Sequence, residues 1–169
     1  MRYPVRFYLC NMPQLKHILL LLLVSVQLTA FAQQKEAEQL SNLFKKGSYE
    51  KCIKKAEKYA ETYPDKYQFP LYSAVSYWKI YRADNNTTNL VNALAQLNQA
   101  YAINGKKIGR FATEQKQLHT EAIKVGPTLL KNGNKDNAAA LYSYVATIYK
   151  DTTEEYTWLY PSVKTATKV

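Results

Sequence analysis

The residue types best suited to catalysis are sparse in this sequence and far apart. Beyond residue 32 the chain has one histidine, His119, and one cysteine, Cys52. A nucleophilic side chain needs a neighbouring base and a third group that orients the base. The pattern places Cys52 and His119 in different predicted helices, with no group to orient them. Cys52 also falls at an apolar helical position, which favours a small buried side chain over a reactive thiol.

The carboxylates give no better basis for catalysis. Glu50, Glu57, Glu154 and Glu155 fall on polar helix faces or near helix starts, and no pair is directed toward a common pocket. The sequence has neither a glycine-rich phosphate-binding loop nor the Cys/His spacing of a metal site. We therefore predict a protein that is not an enzyme and that has no cofactor and no metal.

The first 32 residues have the pattern of a Sec signal peptide. In KHILLLLLVSVQLTAFAQQ a basic flank precedes an apolar run over residues 18–26, and Ala30-Phe31-Ala32 supplies a cleavage site before Gln33. A membrane anchor is the alternative, but the run is shorter than the ~20 apolar residues of a membrane span. We predict an exported protein, periplasmic or secreted, whose mature chain starts near Gln33. Met12 is an alternative translation start.

The charge beyond the signal is basic but dispersed. Of the formal net charge of +10, three positive charges lie in the first 32 residues, which leaves +7 for the rest. A nucleic-acid footprint is typically one dense, arginine-rich stripe, whereas here lysines are spread along the chain and arginines are few. We expect no nucleic-acid ligand. Attraction to anionic envelope polymers or to a membrane surface stays open.

Helical periodicity dominates the chain after Gln33. Apolar residues recur at three- and four-residue spacing in six successive segments, and no stretch alternates with a period of two for long enough to predict a strand. Ser48 is predicted as the N-cap of the second helix, and Gly126-Pro127 predicts a kink in the fifth. The predicted boundaries are Gly47-Ser48, Pro64, the loop ADNNTT, Asn104-Gly105 and Asn132-Gly133.

The second, fourth and sixth helices share one pattern, which resembles the tetratricopeptide repeat. That family places a turn residue between its two helices, then an aromatic, then a small, a bulky and another small residue at fixed offsets, and finally a proline. The three hairpins are in phase over about Gln34 to Tyr149. The residues at these offsets are Gly47, Tyr49, Cys52, Ala56, Tyr59 and Pro64 in the first hairpin, Ala93, Leu97 and Ala100 in the second, and Gly133, Ala138, Tyr142 and Val145 in the third. Ala56 is small where the family prefers bulk, and Tyr59 is bulky where it prefers a small residue, a swap that could keep the packed volume.

The sequence also departs from the family. Glu36 and Leu40 stand where the first-helix tryptophan and glycine belong, the second hairpin has about six extra residues at its turn, and the third lacks the terminal proline. The predicted fold is all-α, with antiparallel helical hairpins stacked over residues 33–160 as a short tetratricopeptide-like solenoid, and with a disordered tail at 161–169. An irregular α-helical bundle of structural role is the alternative.

The resemblance implies a groove lined by the first, third and fifth helices. At two adjacent groove-facing offsets of the family, every hairpin has an apolar residue followed by lysine. Aromatic area with added positive charge suits an acidic protein partner. The alternative is that the aromatic residues belong to the core. The predicted partner-binding residues are Phe44, Lys45, Trp78, Lys79, Tyr81 and Lys131.

The C-terminal end is predicted to cap the stack. A capping box at Thr152 to Glu155 starts a short seventh helix that ends before Pro161. Trp158 falls off the apolar stripe of this helix, so we predict it as an exposed contact residue.

Together these features predict a non-catalytic interaction or scaffold module of the bacterial cell envelope, with an envelope or secreted protein as partner. A helical protein that binds glycans or anionic envelope polymers is the alternative. Membrane contact is expected only as surface association or if the signal is not cleaved. The sequence indicates neither the partner's identity nor an oligomeric state.

Overall fold

The computed structural model describes residues 34–105 and 108–149 of the chain, and within them it has six helices and no strand. The helices are α1 (34–45), α2 (Tyr49–Thr62), α3 (Gln68–Asp84), α4 (Thr87–Asn104), α5 (Ala112–Lys131) and α6 (Lys135–Tyr149). The chain divides into two units, Met1–Glu36 and Ala37–Val169, and α2 to α6 lie in the second. The predicted signal peptide, the seventh helix, Trp158 and the 161–169 tail lie outside the described residues.

Glycine turns join the helices of the first and third hairpins, as predicted. Gly47 and Gly133 have φ angles of +71° and +78°, in the left-handed region that glycine adopts without steric cost. Ser48 does occupy the N-cap position of α2, but its side chain makes no capping hydrogen bond. The boundary was therefore predicted correctly, while the expected capping interaction is absent.

The second hairpin turns more tightly than predicted. Only Asn85 and Asn86 separate α3 from α4, because the rest of ADNNTT is helical. Asn85 adopts a left-handed backbone with φ +53°, which asparagine tolerates better than most residues. Asn86 Oδ1 accepts a hydrogen bond from the backbone N–H of Thr88 at 3.0 Å and so caps α4. The extra residues of this hairpin thus lengthen its helices and not its loop.

The hairpins stack in two layers. In the odd-numbered layer, Phe44 of α1 meets Tyr72 of α3 at a ring-centroid distance of 6.1 Å, and Lys79 of α3 reaches Glu114 of α5. In the even-numbered layer α4 contacts α6, whereas α2 and α4 do not contact each other. Helix α3 packs between α2 and α4 and also reaches α5. The prediction of an all-α stack of helical hairpins is confirmed.

Two clusters of buried side chains form the core. The smaller cluster joins the first hairpin to the start of α3, and the larger one fills the space among α3, α4, α5 and α6. Full burial of a large apolar side chain stabilises the fold by roughly 1.5–3 kcal/mol. The smaller cluster consists of Leu40, Cys52, Ala56, Phe69 and Tyr72, and the larger one includes Leu71, Trp78, Leu90, Leu94, Leu97, Leu118, Leu141 and Tyr142.

Helix α5 extends from Ala112 to Lys131 and includes Gly126-Pro127, the position of the predicted kink. The glycine serves packing at this point. A Cβ atom at residue 126 would lie 2.8 Å from Cε1 and 2.9 Å from Cζ of the Tyr142 ring. Tyr142 is only 4% exposed, so its ring has little room to move. Gly126 therefore lets α6 approach the backbone of α5.

We expect Gly126→Ala to destabilise the protein by about 1–3 kcal/mol, because the added methyl overpacks the contact with Tyr142. In an exposed helix the same substitution stabilises by up to about 1 kcal/mol, so the sign of the change is diagnostic. Urea unfolding followed by circular dichroism measures it. The cost should largely disappear when Gly126→Ala is made in a Tyr142→Leu background. A stabilised single variant would show that the helices are not in close contact here.

Candidate functional site

The structure does not present the predicted groove residues of α3 to solvent. Trp78 is 2% exposed and Tyr81 is 5% exposed, and their rings stack at a centroid distance of 5.6 Å. The Tyr81 hydroxyl donates a hydrogen bond to Glu121 Oε1 at 3.2 Å. Burial, and then the Glu121 carboxylate, raise the pKa of Tyr81 to about 12. The prediction that Trp78 and Tyr81 face a partner is therefore wrong, and both belong to the core.

The three predicted lysines have different surroundings. Lys79 is half-buried and forms an ion pair with Glu114 at 3.5 Å, which links α3 to α5. Lys45 and Lys131 are exposed, and neither forms an ion pair with another described residue. Lys79 is thus a structural link. Phe44 and Lys45 are the part of the predicted site that lies at a partly exposed aromatic surface.

That surface is formed where α1 and the starts of α2, α3 and α5 approach one another, and we call it the aromatic–basic cluster. The centroid of the Phe44 ring lies 5.4 Å from that of Tyr49, 6.1 Å from that of Tyr72 and 5.1 Å from that of Phe111. The Phe111 ring meets Tyr72 edge-on at 5.4 Å. The Arg110 guanidinium carbon lies 5.3 Å from the centroid of the Tyr72 ring. The cluster consists of these five residues.

The cluster combines a buried floor with a partly exposed rim. Tyr72 is 1% exposed, whereas the other three rings are partly exposed. Arg110 is exposed, and so are Lys45 and Lys46, which follow Phe44 in sequence. An apolar surface with adjacent cations can contact both the aromatic and the acidic side chains of a partner.

Gln115 holds the segment that positions Arg110 and Phe111. Its Nε2 donates hydrogen bonds to the carbonyl oxygens of Ile108 at 3.1 Å and Arg110 at 2.6 Å. Its Oε1 accepts a hydrogen bond from the Tyr101 hydroxyl at 2.7 Å. Because Gln115 is buried, at 6% exposure, these bonds are shielded from water. They fix the approach of the chain to the start of α5.

Phe111 has a backbone conformation that a bulky residue rarely adopts. Its φ is +58° at the N-cap of α5, which costs a residue other than glycine about 1–2 kcal/mol. The ring packs against both core clusters, and this packing offsets the strain. The Phe111 side chain therefore contacts both the first hairpin and the rest of the core from a strained backbone position.

Of the five cluster residues, only Phe44 was predicted from the sequence as a binding residue, together with the adjacent Lys45. Tyr49 was named only as part of the repeat pattern, and Arg110 is one of the few arginines in a basic charge that the sequence disperses along the chain. The members come from separate segments that no single periodicity connects. The run KKIGRF, in which only Ile108 and Gly109 separate a lysine pair from Arg110 and Phe111, was the nearest indication.

We expect Phe111→Gly to be more stable than Phe111→Ala by about 1 kcal/mol, since both lose the ring but only glycine adopts the left-handed backbone without cost. Both should be less stable than the parent. Chemical unfolding of the two variants measures the difference. Ala102→Gly, at an exposed helical position, is the control and should change stability in the opposite sense. Equal stability of the two Phe111 variants would argue against the left-handed conformation.

Cys52 and His119 lie in different parts of the core. Cys52 is fully buried, as predicted, and its thiol is 3.7 Å from the carbonyl oxygen of Leu40. Burial raises the pKa of the Cys52 thiol, and a hydrogen bond with Ser76 acts against that shift. His119 is 7% exposed and lies on α5, which does not contact α2. The structure therefore does not join the two side chains into a catalytic pair.

Burial lowers the pKa of His119 from 6.5 to about 4, and this predicts a dependence of stability on pH. A histidine whose pKa is lower in the folded state contributes stability above its unfolded pKa, and that stability is lost as the pH falls. Between pH 7.5 and pH 5 the loss should be about 2 kcal/mol. His119→Gln should remove this part of the pH dependence in urea unfolding. An unchanged pH profile in the variant would contradict the buried neutral imidazole.

Two further properties of the described residues concern metal binding and membrane spanning. They include no group of three or more His, Cys, Asp or Glu side chains that could hold a metal ion. No helix among them is both long and apolar enough to cross a membrane.

Comparison with known proteins adds no family to this description. No protein-family model matches the chain, and neither a curated protein nor a solved structure gives a significant match. The resemblance to tetratricopeptide repeats thus stays a hypothesis that rests on the residues themselves.

Proposed function

We propose that the protein is a non-catalytic, exported interaction module of the cell envelope that binds a protein partner through the aromatic–basic cluster. The observation that carries the proposal is a partly exposed set of aromatic rings bordered by Lys45, Lys46 and Arg110. Aromatic and arginine side chains are enriched in protein interfaces, where they often contribute most of the binding energy. The partner surface that fits is apolar or aromatic with acidic groups around it.

The construction of the cluster supports a binding role. Its floor, Tyr72, is buried, and its loop is fixed by the buried Gln115. A surface that is rigid before binding loses little conformational entropy when a partner docks. The strained backbone of Phe111 is consistent with a position held for function, since such strain concentrates at binding sites. Export is proposed from the signal-like sequence before Gln33.

Capture from an envelope extract of the source cells tests this proposal. We expect a partner that is retained by the full protein and lost with Lys45→Glu/Arg110→Glu, because repulsion then replaces attraction to its acidic groups. Lys54→Glu/Lys124→Glu is the matched control, since both lysines are exposed and the change in charge is the same. Mass spectrometry identifies the proteins retained by the parent and the control but not by the cluster variant.

Equal loss of the partner in the control variant would show that net charge and not the cluster determines binding. Equal retention by all three proteins would contradict the proposed site. Circular dichroism melting of each variant shows whether the fold is intact, because the Arg110–Tyr72 contact contributes only about 0.5–1 kcal/mol at an exposed site.

A further inference from the structure

A polar groove separates α2 from α4 on the face formed by the even-numbered helices. No Cα atom of one helix lies within 8 Å of a Cα atom of the other, and the space between them has a volume of about 320 Å³. Tyr77 of α3 reaches into the same region, where its hydroxyl donates a hydrogen bond to Glu57 Oε1 at 3.1 Å. The groove is lined by Glu57, Ala60 and Glu61 of α2 and by Gln96 and Gln99 of α4.

The α2 side of the groove has negative charge in a chain whose formal net charge is +10. Glu57 and Glu61 are four residues apart, so they lie on the same face of the helix. Within the described part of the chain, neither carboxylate forms an ion pair. The groove therefore offers two unneutralised acceptors for positive charge.

The α4 side of the groove is uncharged and rich in amides. Helix α4 has no charged residue in its 18 positions. Asn89, Asn92, Gln96 and Gln99 recur at three- and four-residue spacing, which places them along one face. Each amide group can both donate and accept hydrogen bonds. That is the chemistry needed to pair with the N–H and C=O groups of an extended peptide backbone.

We propose that this groove binds an extended segment of a partner protein in which lysine or arginine occupies alternate positions. Gln96 and Gln99 bind the backbone of the segment, and Glu57 and Glu61 pair with its cationic side chains. The proposal concerns a second surface and does not depend on the aromatic–basic cluster.

The spacing of the two carboxylates fits such a segment. Four residues of helix place Glu57 and Glu61 about 6 Å apart along the axis of α2. In an extended chain, side chains on the same side are two residues and roughly 6.6 Å apart. A Lys-x-Lys segment that runs along α2 therefore places one cation near each carboxylate.

A cationic peptide fits the lining better than a neutral glycan does. Sugar rings commonly stack on exposed aromatic faces, whereas the lining of the groove is carboxylate, amide and alanine. The nearby Tyr77 is partly buried, and its hydroxyl is bound to Glu57. A neutral ligand would also leave both carboxylates without a counter-charge while it displaced their water, which is unfavourable.

Fluorescence anisotropy of the full chain with a labelled octapeptide of alternating lysine and threonine tests the proposal. We expect saturable binding that weakens by about five- to tenfold in Glu57→Gln/Glu61→Gln, the combined effect of two partly exposed ion pairs. Glu38→Gln/Glu50→Gln is the control, because both carboxylates are exposed and the change in charge is identical. A peptide of four lysines followed by four threonines should bind more weakly than the alternating one.

Equal weakening of peptide binding in the control variant, or equal affinity for both peptides, would overturn the proposal. So would an unchanged peptide affinity in Gln96→Leu/Gln99→Leu, because the amides would then not bind the peptide backbone. Binding of maltohexaose that Glu57→Gln/Glu61→Gln does not affect would also overturn it. Tighter peptide binding after Lys164→Ser/Lys168→Ser would mean that the chain's own C-terminal segment occupies the groove, which also contradicts a separate partner. Lys45→Glu/Arg110→Glu should leave the peptide affinity within about twofold of that of the parent protein. A groove that does not bind the peptide is therefore distinguishable from an aromatic–basic cluster that does not bind a partner.

Discussion

Burial of the first half of α3 on every side is the constraint on which the rest of the structure depends. The residues from Phe69 to Ser76 are all buried, and Trp78 and Tyr81 extend that buried surface. A helix that has apolar residues all round must be covered all round, so α2, α4 and α5 have to pack on α3 together. Ser73 Oγ and Trp78 Nε1 have no hydrogen-bond partner among the described residues, and each such group costs about 1–3 kcal/mol. The apolar area of α3 has to outweigh that cost.

The helices that cover α3 leave space for a ligand at two of the described surfaces. One is the aromatic–basic cluster at the start of α5, and the other is the groove between α2 and α4. Their charges are opposite, since Arg110 borders the first while Glu57 and Glu61 line the second. Opposite surface charge favours different partners at the two places. A basic protein thus has one surface suited to acidic groups and one suited to basic groups.

The sequence predicted the helices well because their periodicity and turn residues are local properties. The assignment of Trp78 to a groove failed for a physical reason, since an offset within a repeat assumes one exposed face and α3 has almost none. Its nearly continuous apolar run was itself an indication of full burial. The aromatic–basic cluster could not be predicted in the same way, because Phe44, Tyr72 and Phe111 meet only in the folded chain. The left-handed backbone of Phe111 contradicts its local preference and is imposed by tertiary packing.

The groove arises from an irregularity in the stack. In a regular array each hairpin contacts the next in the same way, yet α4 contacts α6 and does not contact α2. Helix α4 has 18 residues and α2 has 14, a difference of about one turn, so the two helices do not match along their length. Closing the space would remove water from Glu57 and Glu61 with no cation to pair with them, which is costly. Since that cost opposes collapse, we infer that the carboxylates proposed to bind a cationic ligand also favour an open groove in its absence.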